Sequence, residues 1–394
     1  MRTGSADAPG AQSAPDGAER ITFNRPHGTG REHAYIEQAI ANRHLSANGP
    51  FTERCTDWLA DHFDAPRVLL TGSCTSALEM ATLLLDLQPG DEVIMPSFTF
   101  VSTASAVALR GAVPVFVDVR PDTLNIDEAQ VEAAIGERTR AILPIHYAGV
   151  GAAMDVLQQL ADARGLALVE DAAQAMLASW RGRPLGGIGQ LGCMSFHETK
   201  NLTCGEGGAL VVNNPDLVER AEILQEKGTN RSAFFRGAVD KYTWVELGSS
   251  YLTSEINAAF LWAQLESASE ITASRLAVWQ RYHERFAPLE ASGRVRRPIT
   301  PDDCQHNAHM YYLLLRDRAA RDGLIAHLDG LGIQAVFHYV PLHSSPAGLR
   351  YGRAHGPLEV TDRVSDTLVR LPLWVGMSDA DIDRVADGVE SALR

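Results

Sequence analysis

The sequence predicts an α/β fold, a mostly parallel sheet covered by helices on both faces, followed by a smaller α+β unit. Three features predict it. From Val68 to Glu170 short apolar runs alternate with amphipathic segments of helical period, the pattern of buried strands joined by crossover helices. With 394 residues and 45% hydrophobic composition, the chain is larger than one core fills, because single cores stop growing at about 250 to 300 residues. A stretch free of Gly and Pro, from Ser254 to about Phe286, keeps a helical period and leads out of the first unit as one long helix.

Residues 1–20, MRTGSADAPGAQSAPDGAER, offer almost nothing to bury and read as a disordered extension. In FTERCTDWLADHF, Phe51, Cys55, Trp58, Leu59 and Phe63 recur at helical spacing, with Thr52 placed to begin the helix. Then come the strand VLL, the helix TSALEMATLLLDL, the Pro89-Gly90 turn and the strand EVIM. A helix across 100–110, the strand PVFVDV, a helix near 127–136, the strand RAILPI, a helix from Asp155 to Ala163 and the strand LALVE continue the pattern. Beyond the long helix, MYYLLL, a helix near 318–330 and IQAVFHYV form the smaller unit. The expected organisation is therefore an extension over 1–20, a large domain over 21–265 and a small domain over 266–394, with no internal repeat.

A net charge of −14 argues against a nucleic-acid surface, which needs a basic stripe to neutralise phosphates. The five cysteines are widely spaced and include no C-x-x-C pair, which points to reduced thiols rather than a disulfide framework or a zinc site. No apolar run approaches the ~20 residues that cross a bilayer, and no apolar signal core opens the chain. The expectation is a soluble cytoplasmic protein without membrane contact.

In an open α/β sheet ligands bind beyond the carboxyl ends of the strands, so the residues just after each strand carry the candidates. In TGSCTSALEM a helix begins with Ser73, Cys74, Thr75 and Ser76, whose free N–H groups and hydroxyls suit a phosphate and serve equally well as an N-cap. LALVEDAAQA ends on Glu170 and Asp171, with Gln174 three residues on; an acid there can balance a cationic ring nitrogen, or simply be a solvated loop acid. In SFHETKNLTCGEGG, Lys200 follows Ser195 by five residues, and an amine held in a dry pocket becomes a nucleophile able to form a Schiff base. Phe98 and Phe100 follow EVIM, where an aromatic can stack on a planar ring or fill the core. Gly187, Gly189 and Gly192 spell G-x-G-x-x-G, but before a strand rather than between strand and helix, which argues against a nicotinamide oxidoreductase. His306, His309, His338 and His343 carry no metal motif, and no metal is expected.

The runs PGDEVIMPSFTFVSTASA, VEDAAQA, SFHETKN, GEGGAL, FHYVPLH and the stretch from EKGTNR to WAQLE closely resemble the DegT-type sugar-nucleotide aminotransferases, from about residue 22 to the C-terminus. The branch most similar aminates C4 of thymidine-diphosphate (TDP) 4-keto-6-deoxyhexoses. The resemblance implies a fold type I enzyme that uses pyridoxal 5'-phosphate and is a homodimer with shared active sites. Carried over by position, Lys200 matches the lysine that binds the cofactor as a Schiff base, Asp171 the partner of the ring nitrogen and Gln174 the residue near the ring hydroxyl. Cys74, Thr75 and Ser195 match phosphate contacts, and Phe100 the aromatic over the ring. Relatives send an Asn of a G-Y-N-Y stretch to the neighbouring subunit's phosphate; here the stretch reads Gly248-Ser249-Ser250-Tyr251, placing Ser250 at that position. His338, Tyr339 and His343 are candidates for the sugar.

The implied reaction takes an amino group from L-glutamate, releases 2-oxoglutarate and aminates a TDP-ketosugar. The same chemistry on a 4-keto pentose or a 3-keto sugar nucleotide is the alternative. A dehydratase on this scaffold would carry His in place of Lys200.

Overall fold

The structure, a computed structural model, describes residues 19–394, so the expected N-terminal extension lies outside the described residues up to residue 18. Thirteen strands are described: β1 (Arg67–Thr71), β2 (Glu92–Pro96), β3 (Val113–Val117), β4 (Thr139–Ile142), β5 (Ala167–Asp171), β6 (Ser179–Trp180), β7 (Arg183–Pro184), β8 (Leu191–Ser195), β9 (Gly208–Val212), β10 (Cys304–Gln305), β11 (Tyr311–Leu314), β12 (Arg353–Ala354) and β13 (Leu368–Leu371). Eight form one sheet in the order β1-β9-β8-β5-β4-β2-β3-β12. Only β9 is reversed in it, antiparallel to both β1 and β8. The carboxyl ends of β1, β2, β5 and β8 therefore lie along one edge, and the start of β9 joins them, with Gly208 opposite both Thr71 and Ser195.

Side chains alternate across this sheet because successive residues of a strand point to opposite faces. Val68 and Leu70 of β1 enter one core with Leu168, Met194, Ala209 and Val211, while Leu69, Val169, Cys193, Leu210 and Val212 enter the other. Helices Pro50–Phe63, Met154–Arg164 and Glu255–Glu266 close the first face, and helices Cys74–Leu84 and Val101–Ala108 the second. Both faces are thus covered, as the uninterrupted apolar strands require.

The helix expected to start at Thr52 begins instead at Pro50, after Gly49, and no local side chain caps it. Its first amides are satisfied from 203 to 206 residues away: the buried Glu255 carboxylate accepts from the N–H of Gly49 (3.1 Å), Phe51 (2.9 Å) and Thr52 (2.9 Å), and from the Thr52 hydroxyl. An anion at a helix N-terminus is the arrangement the dipole favours. The single long helix expected from Ser254 is two, Glu255–Glu266 and Ala268–Arg285. They part at Ser267, whose N–H donates to Gln264 O in a tighter i→i−3 bond and whose hydroxyl accepts from Arg31 at 2.7 Å.

Helix Ala268–Arg285 enters a separate core with β11, β13, helix Arg318–Gly330 and helix Asp379–Ala392. IQAVFHYV makes no regular strand; it runs extended, bridged at Ile333 to Ile21 and at Val336 to Arg370. A later piece of the chain returns to the large sheet: β12 pairs with β3, and Leu342 and Leu358 pack in its second core. No described helix is long and apolar enough to cross a membrane.

Candidate active site

A cavity of about 820 Å³ opens at the carboxyl edge of the sheet, between it and the C-terminal core. Cys74, Thr75, Phe100, Asp171, Gln174, Ser195, Lys200, His338 and Tyr339 all line it. His343 and Ser250 are not in its wall. The His343 Nδ1 lies 2.8 Å from the buried Ser97 hydroxyl and its Nε2 3.5 Å from Asp362, so its ring is occupied by the fold. Ser250 sits on an exposed segment, bridged to Glu226.

At one end of the cavity helix Cys74–Leu84 begins. The Ser73 hydroxyl caps it by accepting from Ser76 N at 3.1 Å, the N-cap expected of this stretch. The amides of Cys74 and Thr75 stand before any intrahelical acceptor. The Thr75 hydroxyl is 2.8 Å from that of Ser102, and with Ser195 these groups frame a small polar cup. Gly208 lets β9 press against it: a Cβ there would sit 2.4 Å from Ser73 C and 2.5 Å from Cys74 N.

Glu170 and Asp171 end β5 and, being adjacent, point opposite ways. Glu170 turns away from the cavity into the protein. It accepts from Gly186 N (2.8 Å), Ile188 N (2.7 Å) and Gly189 N (2.7 Å), and from Nε2 of His146 at 2.9 Å. Burial pushes its carboxyl up, but these hydrogen bonds outweigh it and hold the group below the usual range. Asp171 turns into the cavity, where it accepts from the Thr103 hydroxyl (2.7 Å) and Ala173 N (3.2 Å). Here burial wins and the carboxyl is raised.

Lys200 closes a turn within the loop that joins β8 to β9, its N–H donating to His197 O at 2.9 Å. Its neighbour Asn201 ties that turn to the C-terminal unit, donating to Asn307 O at 2.8 Å and facing His309 Nδ1 at 3.0 Å. Burial lowers the Lys200 ammonium pKa and the charge of Arg370 adds to that, while Cys74 and Asp171 act against it. His309 is held neutral chiefly by burial. On the far wall Gln174 is fixed at both ends: its Oε1 accepts from Ala148 N at 2.7 Å and its Nε2 donates to the Tyr339 hydroxyl at 3.1 Å. His338 Nδ1 is 3.0 Å from the Tyr147 hydroxyl. Phe100 is more than half exposed at the start of helix Val101–Ala108, whereas Phe98 is a core residue packed on Tyr147.

Thr103, Ser102 and Arg370 also belong to the cavity or its support and were not singled out by the sequence, and His309, weighed there only as a metal ligand, lines the cavity with them. Thr103, Ser102 and His309 meet their partners across long stretches of chain, as Thr103 does 68 residues from Asp171. No local pattern marks such a pair.

The model of the DegT/DnrJ/EryC1/StrS aminotransferase family matches residues 26–390. The chain is 33% identical over 378 residues to the GDP-perosamine synthase of Caulobacter vibrioides, covering 95% of this chain and 98% of that one. Among solved structures, the aminotransferase TlmJ of Streptoalloteichus hindustanus superposes with a TM-score of 0.86 at 31% identity, over 95% of this chain and 98% of that one. DesV of S. venezuelae superposes with a TM-score of 0.84 at 34% identity, over 93% and 95% respectively.

Proposed function

The chain belongs to the DegT/DnrJ/EryC1/StrS aminotransferase family, and from that premise we propose that it transfers the amino group of L-glutamate to C4 of a TDP-linked 4-keto-6-deoxy sugar. It is a pyridoxal 5'-phosphate-dependent aminotransferase. The observation that carries the reading is the meeting, in one cavity, of a helix N-terminus free to take a phosphate, a buried Asp171 and an enclosed Lys200.

The cavity fits the cofactor chemically. Two unbonded amides with the Thr75, Ser102 and Ser195 hydroxyls suit a phosphate dianion. A carboxyl raised by burial is one that gains from a cation placed against it, which a protonated ring nitrogen provides. Cys74, Thr75 and Ser195 would hold the phosphate, Phe100 the ring face, Gln174 the ring hydroxyl and Asp171 the ring nitrogen. When bound, the ring supplies an electron sink for negative charge at the donor's α-carbon.

The residues divide the remaining work. Asp171, whose anionic form Thr103 and Ala173 favour against the burial that raises its carboxyl, would hold the proton on the ring nitrogen. Lys200, whose neutral form burial favours, is the covalent anchor and moves the proton from the donor's α-carbon. The turn that carries it is locked through Asn201, which fixes the reach of its amine. His338 and Tyr339 line the cavity and would offer hydrogen bonds to the hydroxyls of the sugar.

We further assign the functional unit as a homodimer with shared sites. Phe235, Tyr242, Trp244 and Leu247 are each more than half exposed on the segment from Lys227 to Tyr251, an apolar surface suited to a second copy. Mixing a Lys200→Ala chain with one inactivated in that segment should restore activity in verified mixed dimers; no recovery would remove shared sites.

Incubation with L-glutamate and TDP-4-keto-6-deoxyglucose should yield a 4-amino sugar nucleotide by mass and NMR. A faster reaction with the 3-keto isomer would overturn the C4 assignment. Similarity to the Caulobacter GDP-perosamine synthase favours a second reading, GDP as the nucleotide, and the same assay with the GDP-linked ketosugar decides between them.

A further inference from the structure

One imidazole in the cavity wall has its proton placed by the fold. Asn307, fully buried between β10 and β11, has every side-chain atom engaged: Nδ2 donates to Gln174 O (2.9 Å) and Met176 O (2.8 Å), and Oδ1 accepts from His309 N (3.0 Å). Gly149 leaves the room it needs, since a Cβ there would lie 1.8 Å from Asn307 Oδ1. The Asn307 carbonyl in turn accepts from Asn201 Nδ2 at 2.8 Å. A carbonyl only accepts, so Nδ2 is the Asn201 atom that meets it, and Oδ1 is the atom 3.0 Å from His309 Nδ1. An amide oxygen only accepts as well. The proton between them therefore sits on Nδ1, and the neutral ring carries a bare lone pair on Nε2. Among the described residues no carboxylate pairs with His309, and burial together with the charges of Lys200, Arg275 and Arg370 disfavours its imidazolium. No described group meets Nε2, and nothing closes that atom off from the cavity the ring lines.

Such a lone pair selects what it binds. A neutral nitrogen acceptor needs an O–H or N–H donor and repels an oxygen that can only accept. Of the two substrates of a sugar aminotransferase, the amino acid brings carboxylates, which only accept, and an amine that is taken up at the reacting centre. The sugar brings hydroxyls, which donate. We infer that His309 is a specificity-determining residue for the sugar, accepting at Nε2 a hydrogen bond from one of its ring hydroxyls, with Asn201 as the positioning residue that fixes the ring; this rests on the aminotransferase reading. Asn201 follows Lys200 directly in the chain, so the turn that carries the amine also holds the imidazole, through one hydrogen bond. A sugar whose hydroxyl is missing or misplaced leaves the lone pair unpaired, and the contact discriminates by that cost.

The test uses the holoenzyme of His309→Asn and His309→Gln. Asn sets an amide N–H near the position of Nδ1 and can keep the bond to Asn201, but has nothing at the position of Nε2; Gln reaches that position with an amide oxygen. With the ketosugar nucleotide that the wild type aminates, Asn should lower kcat/KM by about 5- to 100-fold, with Gln between Asn and wild type, while KM for L-glutamate stays within about twofold. Against analogues that each lack one ring hydroxyl, the penalty of Asn should shrink to within about twofold for one of them, because the wild type has then lost the same bond. Nitrogen NMR of the histidine-labelled wild type, with the His309 signals identified by their absence from the Gln variant, should show Nδ1 protonated and Nε2 bare. An unchanged kcat/KM in the Asn variant, an equal rise in KM for L-glutamate, a penalty of one size for every analogue, or a proton on Nε2 overturns the assignment. If the Asn variant does not fold, Gln decides by the same analogues and spectra. The aminotransferase reading is tested separately, by the wild-type cofactor band and its bleaching on addition of L-glutamate; it can stand while the role of His309 falls.

Discussion

Thr103→Val removes a single hydroxyl from beneath the proposed ring-nitrogen partner and tests how Asp171 keeps its charge. The Thr103 hydroxyl donates to Asp171 Oδ2 at 2.7 Å, and the remaining donor, Ala173 N, is longer at 3.2 Å. A hydrogen bond to a charged group contributes about 1.5–3 kcal/mol, and one pKa unit is about 1.4 kcal/mol, so the Asp171 carboxyl should rise by about 1–2 units. It starts above its ordinary value because of burial. In the cofactor-free protein, an acid raised on folding contributes fully below its unfolded pKa and loses that contribution as pH rises through the folded one. The stability gap between Val and wild type should therefore widen as pH rises from about 4, reaching about 1.5–3 kcal/mol once both carboxyls are ionised. In the holoenzyme the same loss should weaken cofactor binding by about 10- to 100-fold. The low-pH limb of cofactor affinity should move to higher pH by about 1–2 units. Equilibrium binding followed by cofactor absorbance from pH 5 to 8, with thermal unfolding of the cofactor-free protein alongside, measures both. A Val variant with wild-type affinity and an unmoved limb would refute the claim that Thr103 sustains the charge of Asp171.

Three further changes probe other parts of the site and its support. Borohydride reduction of the holoenzyme followed by peptide mapping should find the cofactor on Lys200, and Lys200→Ala should lower kcat by at least about 10²–10⁴-fold with the fold intact by circular dichroism; attachment to another lysine defeats the assignment. Gly208→Ala would set a Cβ 2.4 Å from Ser73 C, so the start of helix Cys74–Leu84 must shift. Cofactor affinity should fall while the cofactor-free protein keeps most of its secondary structure, and wild-type affinity would count against a phosphate at this helix start. Glu255→Gln replaces one of the two oxygens that cap helix Pro50–Phe63 by an NH₂ group facing backbone donors, and should cost about 1–3 kcal/mol in urea unfolding. A midpoint equal to wild type would mean that water satisfies those amides.

What could be read from the sequence is what repeats or sits next to itself in the chain. The strands between Val68 and Glu170 were legible because each is a short apolar run between helical ones, and the candidates at their carboxyl ends converge because parallel strands share one edge. The start of helix Pro50–Phe63 was not legible. Thr52 is the kind of residue that caps locally, but the acceptor comes from Glu255, and nothing in the intervening chain announces the pairing. The break at Ser267 was hidden for a related reason: no Gly or Pro marks it, and the group that holds the hydroxyl there is Arg31.

The glycine run Gly187 to Gly192 shows why a motif needs its context. In a dinucleotide fold such glycines let the backbone approach a pyrophosphate and aim amides at it. Here the physical requirement is similar and the anion is internal. Gly186, Ile188 and Gly189 aim their amides at Glu170, and Gly192 has no room for a side chain, since a Cβ would lie 2.1 Å from Gly186 O. The nest therefore holds the residue just before Asp171. With the Glu170 carboxylate gripped by three amides and His146, the end of β5 cannot rotate, and the alternation of the strand then fixes Asp171 toward the cavity. A run that imitates a cofactor fingerprint thus serves the cavity one residue removed, by fixing the direction of the acid proposed to meet the cofactor.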